Sequence, residues 1–160
     1  MKFKEIGWNG FLMKVPEEMH LTRQGGNAKQ GTFIIESEGH MIEFTWRPIP
    51  KKPKPILTLV EAIIDQVKKD AKKKKQKFSI EERVDTRINN HDAIYLRLKS
   101  AIEARHYIWS CPESDRLIAI RFVFGTFDEK TRQFVKQFLS TLQCLSLIHI
   151  SEPTRPLYIS

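Results

Sequence analysis

Two cysteines in 160 residues, Cys111 and Cys144, are too few for a disulfide-stapled scaffold. Neither sits in a C-x-x-C or other metal-ligand spacing. No apolar run approaches the ~20 residues that span a bilayer. The opening MKFKEIGWNGF lacks the apolar core of a secretion signal. No internal repeat is evident. The expectation is one cytoplasmic domain with no transmembrane segment.

What is present is apolar enough for a core: 41% hydrophobic and 10% aromatic residues. Charge is unevenly placed. Lys51–Lys77 holds ten lysines against three acids, nearly all of the chain's net +8. The rest is close to neutral, so one basic helix and its approach stand on a balanced domain.

Alternation marks the strands. Residues 3–15 form a strand or hairpin that stops at Pro16. Met19 and Leu21 open a short strand, and Gly25–Gly31 is a loop. Phe33 and Ile35 share a face. Ile42, Phe44 and Trp46 alternate with Glu43, Thr45 and Arg47. Four prolines in residues 47–55 make an extended connector. Helix one follows, with Thr58 and Glu61 in a capping-box pattern. Val60, Ile63, Ile64, Val67 and Ala71 form its apolar stripe, and regular packing ends near 73–75. Asp65 is placed to pair with Lys69, and Asp70 with Lys73 or Lys74. Residues 78–88, 94–98, 101–110 and 117–124 read as an antiparallel meander. Helix two spans about Phe127–Leu142, with Thr126 and Glu129 repeating the capping pattern.

After Cys144 the character changes. Ser146–Ser160, with SLIHISEPTRP at its heart, resembles the translation of a sequencing-adapter remnant. Residues 145–160 are therefore set apart as non-native. The expected domain is 1–144, with the natural chain truncated and its true C-terminus unknown. His149, Arg155 and Tyr158 carry no functional weight.

No constellation of catalytic residues emerges. His20, His40, His91 and His106 are scattered without zinc spacing, so no metal and no cofactor are expected. Cys111 and His106 could form a nucleophile pair, but nothing supplies an orienting third group. Glu36, Glu38 and Glu43 lack a matching inward carboxylate. Gly25–Gly31 lacks the G-K-[ST] ending of a phosphate loop. Trp8, Trp46 and Trp109 read as core or sheet-face residues.

The lysine cluster is the one feature with a binding reading. Lys68, Lys69, Lys72, Lys73, Lys74, Lys75 and Lys77 could hold nucleic acid or an acidic membrane through charge neutralisation. The cluster also suits the helix macrodipole, and no arginine fork or stacking aromatic lies within it. A solvated helix end is the plainer reading.

Gly10-Phe11-Leu12-Met13-Lys14-Val15-Pro16-Glu17-Glu18-Met19-His20-Leu21 resembles the opening G-F-x-x-x-x-P-x-x-W-x-L hairpin of the PsbP-like α/β/α fold. Met19 stands where tryptophan is common. The closing helix, through Ser140-Thr141-Leu142, is similar to that fold's last helix. Extrinsic photosystem subunits, a Ran-GTPase-binding protein and bacterial DcrB-type lipoproteins share the fold. The resemblance implies an α+β protein, an antiparallel sheet with two main helices packed on it. It also implies a non-catalytic scaffold that binds partners. The leading expectation is thus a non-enzymatic interaction domain, with a protein or a missing sister domain as partner. The alternative is an anion-binding module using the lysine cluster.

Overall fold

The computed structural model describes residues 2–144 and the backbone of Leu157–Ile159. The first five strands are β1 (Phe3–Trp8), β2 (Phe11–Pro16), β3 (His20–Gly26), β4 (Gly31–Ser37) and β5 (His40–Pro48). Helix α1 (Pro55–Lys73) follows, then β6 (Ser79–Ile88), β7 (His91–Lys99), β8 (Glu103–Cys111) and β9 (Arg116–Phe124). A 3-10 turn at Pro112–Ser114 joins β8 to β9. Helix α2 (Glu129–Thr141) and the short strands β10 (Gln143–Cys144) and β11 (Leu157–Ile159) complete the order.

The α+β class holds, with two helices packed on antiparallel sheets. Seven strands form the main sheet, in the order β3-β4-β5-β9-β8-β7-β6. The first hairpin stands apart in a small sheet ordered β10-β2-β1-β11. Its turn is Asn9-Gly10, with φ of 50° and 84°, the pairing that a two-residue hairpin requires. Phe11, Met13 and Val15 point from β2 into the core against Phe33, Phe44 and Trp46. A one-sided hairpin covers a sheet face better than it extends a sheet, because joining the edge would strand those side chains.

Three layers result. On one face of the main sheet, the hairpin and α2 bury Ile42, Phe44, Trp46, Ile118, Ile120 and Phe122. On the other, α1 lays Leu59, Val60 and Ile64 against Ile94, Leu96, Leu98 and Ile108. Burial of each large side chain contributes roughly 1.5–3 kcal/mol. The proline connector carries the chain from β5, mid-sheet, to the face that α1 occupies.

Several local expectations change. Helix α1 begins at Pro55, not at Thr58; Lys54 precedes it with φ 55° and no side-chain cap. Proline at the first helical position needs no N–H partner, and this outweighs the T-x-x-E pattern. Thr58 Oγ1 instead donates to the Lys54 carbonyl, and Glu61 pairs with Arg83 at 2.8 Å. Asp70 accepts from Gln66 at 3.0 Å, and among the described residues Asp65 has no ion pair with Lys69. Helix α2 is capped by Asp128, whose carboxylate accepts from the Thr131 amide at 3.0 Å, not by Thr126. Strand β3 runs on to Gly26, which shortens the expected 25–31 loop. Gly31 lies so near the Trp46 ring that a Cβ there would stand 2.6 Å from it.

Residues 145–156 and Ser160 fall outside the described residues. Leu157–Ile159, within the stretch set apart as non-native, pairs antiparallel with β1 from Glu5↔Ile159 to Gly7↔Leu157. An unpaired strand edge accepts extended backbone of almost any sequence.

Candidate functional site

The seven candidate lysines are all exposed. Lys68, Lys69, Lys72 and Lys73 lie on the last turns of α1, Lys74 caps it, and Lys75 and Lys77 follow. The helix closes in a Schellman turn: Gln76 N donates to Ala71 O at 2.8 Å and Lys75 N to Lys72 O at 3.2 Å. Of the seven, Lys74 borders a hollow of about 260 Å³ between the end of α1 and the sheet.

A cleft does open elsewhere, between α2 and strands β6–β8. Helix α2 covers the middle of the main sheet and the Ile88 and Ala93 end of β6 and β7, and leaves the rest of these strands uncovered on that side. The resulting trench, about 660 Å³, is lined by Arg87, Arg97, Arg105, Arg132 and Lys136, with Tyr95, Tyr107 and Phe127. Its one lining carboxylate is Glu82. Strand register explains the convergence. Arg97 stands opposite Arg105, and Tyr95 opposite Tyr107, so all four share one sheet face. Val84, opposite Tyr95, shares that sheet face and is 48% exposed.

The cations are ordered by their neighbours. Arg97 bonds Glu82 at 2.8 Å and Glu103 at 3.1 Å, and Arg105 reaches Glu103 at 3.0 Å. Arg105 also stacks over Phe127, its guanidinium carbon 3.5 Å from the ring centroid. Arg132 approaches the same ring at 5.4 Å. Among the described residues Arg132 and Lys136 form no ion pair. Burial raises Tyr95, with Arg105 opposing. Tyr107 goes up to about 12, first through burial and then through the neighbouring Tyr95. Both phenols remain protonated and able to donate. The trench therefore offers guanidinium forks and phenolic donors to an anionic ligand.

A second cluster lies at the end of β8. Residues from β7, β8, the 3-10 turn and β10 surround a cleft of about 610 Å³. There His91 Nε2 lies 3.3 Å from Glu113 Oε2, and Cys111 Sγ lies 3.5 Å from the same oxygen. Cys144 Sγ is 2.9 Å from Ser114 Oγ and 3.2 Å from Arg116. The Cys111 thiol, its neighbour, lowers Cys144 to about 6, with help from Ser114 and Arg116 against the effect of burial. Cys111 is pushed up, chiefly by that same hydrogen bond and by burial.

The other sequence candidates separate. His106 faces α1 and Cys111 faces the hairpin, so the two do not meet. Burial, then Arg121, lowers His106 to about 4. Glu43 pairs with Arg121 at 3.2 Å and Glu36 accepts from Thr22 at 3.1 Å. Asn27 orders the 27–30 turn by accepting from the Lys29 and Gln30 amides. Trp8 and Trp46 are core residues, while Trp109 is buried beneath the thiol cleft.

Neither a protein-family model nor a curated protein sequence matches the chain. A solved structure does: the solution structure of cyanobacterial PsbP from Synechocystis sp. PCC 6803, with a TM-score of 0.63. The match covers 90% of this chain and 94% of that one. The fold is PsbP-like. At 9% identity the likeness concerns the path of the backbone alone. No described helix is long and apolar enough to cross a membrane.

Proposed function

We propose that this chain is a non-enzymatic protein-interaction domain whose docking face is the arginine–tyrosine trench beside α2. The observation that carries the reading is the convergence there of four arginines and Lys136 around Tyr95, Tyr107 and Phe127. Arginine and tyrosine are the residue types that dominate binding energy at protein interfaces. Arg87, Arg97 and Arg105 already pair with Asp92, Glu82 and Glu103, so Arg132 and Lys136 are the cations left to meet an acidic segment of a partner protein. Its carboxylates would take guanidinium forks, and its apolar side chains would lie on the rings and on Val84. Two thiols side by side and unbridged suit a reducing, cytoplasmic setting.

The competing reading places anion binding at Lys68, Lys69, Lys72, Lys73, Lys74, Lys75 and Lys77. It is supported by their exposure and charge alone. One experiment separates the two. A labelled Asp/Glu-rich peptide and a mixed-sequence nucleic acid are titrated by fluorescence anisotropy at low and at physiological salt. The interaction reading expects the peptide to bind and the R105E/R132E double variant to weaken it at least ~10-fold. Replacing Lys72–Lys75 by glutamate should then change peptide affinity by less than about three-fold. If only nucleic acid binds, and the lysine variant alone abolishes it, the trench assignment fails. Absence of peptide binding at low salt also rejects it.

A further inference from the structure

His91, Cys111 and Glu113 have no shared sequence motif, yet the fold puts their donor atoms within 4.8 Å of one another. His91 opens β7, Cys111 ends the adjacent β8, and Glu113 sits in the 3-10 turn that follows. Three backbone elements therefore fix the three side chains from different directions.

The tautomer of His91 gives the cluster its character. Nδ1 lies 3.3 Å from the Ile88 carbonyl, which can only accept, so Nδ1 carries hydrogen. In the neutral ring Nε2 then presents a lone pair, and it faces Glu113 Oε2 at 3.3 Å. A proton on Nε2 makes this contact an imidazolium–carboxylate pair, and a metal ion in the same gap would be held by the same two groups. A ring nitrogen held by a backbone carbonyl behind it is also the usual posture of a metal-bound histidine.

Two of the three spacings fit a metal directly, and His91 and Cys111, whose donor atoms lie within 4.8 Å, would draw together on binding. Ligands at the ~2.0–2.3 Å typical of zinc stand about 3.3–3.7 Å apart when tetrahedral. The His91–Glu113 and Glu113–Cys111 separations are 3.3 Å and 3.5 Å. One imidazole, one thiol and one carboxylate form a donor set for zinc or a similar borderline ion, rather than for calcium or magnesium. Glu113 faces the cleft, which gives an ion a way in.

We propose that His91 Nε2, Cys111 Sγ and Glu113 Oε2 form a binding site for zinc or a chemically similar divalent transition metal. The Cys111 proton leaves to solvent on binding, and the fourth position opens to the cleft beside Cys144. The site is independent of the trench and of the docking reading.

The test uses the full-length chain, reduced and stripped by a chelator, then titrated with cobalt(II) and with zinc(II). The expected result is one cobalt per chain, tetrahedral visible bands and a thiolate-to-cobalt absorption in the near ultraviolet. Zinc should displace the cobalt. His91→Gln and Glu113→Gln, at partly exposed or exposed positions, should each weaken binding at least ~10-fold with circular dichroism unchanged. Cys111→Ser should remove the charge-transfer band, whereas Cys144→Ser should retain binding. The assignment is overturned by no uptake, by uptake without a thiolate band, or by affinity unchanged in both His91→Gln and Glu113→Gln. Loss of binding in Cys144→Ser with retention in Glu113→Gln would overturn the ligand set.

Discussion

Arg116 is the residue on which the two sheets meet. It is 0% exposed, among the largest fully buried side chains. Its guanidinium donates to the Asn9 carbonyl, to Gly10 O and Ala28 O at 3.3 Å each, and to Ser114 Oγ at 3.1 Å. It also lies 3.8 Å over the Phe11 ring. One side chain thus ties the hairpin turn, the β3–β4 turn and the start of β9. Arg116→Met keeps the apolar stem but leaves several buried carbonyls unbonded. Chemical denaturation should show a loss of about 3 kcal/mol, with Arg116→Lys recovering only part of it. Equal stability of wild type and Arg116→Met would show that the contacts are incidental. His106 yields a second prediction. Its folded-state value of about 4 lies below the ordinary 6.5, since burial disfavours the charged ring. Its contribution is therefore complete above pH 6.5 and is lost as pH falls through 4. Over that window the wild type should lose about 3 kcal/mol relative to His106→Leu, measured as the difference in urea midpoints. A pH-independent difference would contradict the buried, neutral ring.

At the scale of elements, alternation and helical stripes were legible while helix starts and strand neighbours were not. Ile42, Phe44 and Trp46 announced an inward face because each is separated by one polar residue. The helix caps misled, since T-x-x-E at Thr58 occurs one turn inside a helix that Pro55 begins. The trench was hidden for a different reason. Tyr95 and Arg97 alternate with Ile94, Leu96 and Leu98, and a strand pattern alone makes them solvent-facing. Only the register against Arg105 and Tyr107 gathers them. The thiol cluster needed the same register, plus a turn that no spacing rule describes. The end of α1 was placed well: the helix stops at Lys73 because Lys75 turns left-handed at φ 54°. That conformation suits glycine. Lys75→Gly should therefore raise stability by about 1 kcal/mol, read as an upward shift in Tm, while Lys75→Ala should leave it nearly unchanged. A fall in Tm for Lys75→Gly would mean that the Schellman turn does not form.

For the molecule as a whole, the basic charge has two addresses of different kinds. The end of α1 projects lysines into water, where salt screens them within about 8–10 Å. The trench holds Arg97 and Arg105 partly out of water, each bonded to a carboxylate, while Arg87 and Arg132 are exposed. Total charge was visible in composition, but only the fold distinguishes a diffuse positive end from a shaped positive trench. The peptide titration proposed above should show this directly. Affinity at the trench should fall less steeply with salt than any binding at the lysines, because rings and apolar contacts share the load.

The pairing of β5 with β9 has a consequence for how the chain is made. The two strands run from His40↔Phe124 to Pro48↔Arg116, and they alone join the β3–β5 group to the β6–β9 group in the main sheet. Each group can form from neighbouring residues, but the seam between them must wait until β9 has left the ribosome. Until then β5 presents an open hydrogen-bonding edge beside uncovered Ile42, Phe44 and Trp46. This interval, rather than the finished protein, is when the chain is most exposed to mispairing with a second copy. Slow synthesis between Pro48 and Arg116 would lengthen it, and a chaperone holding the β5 edge would protect it.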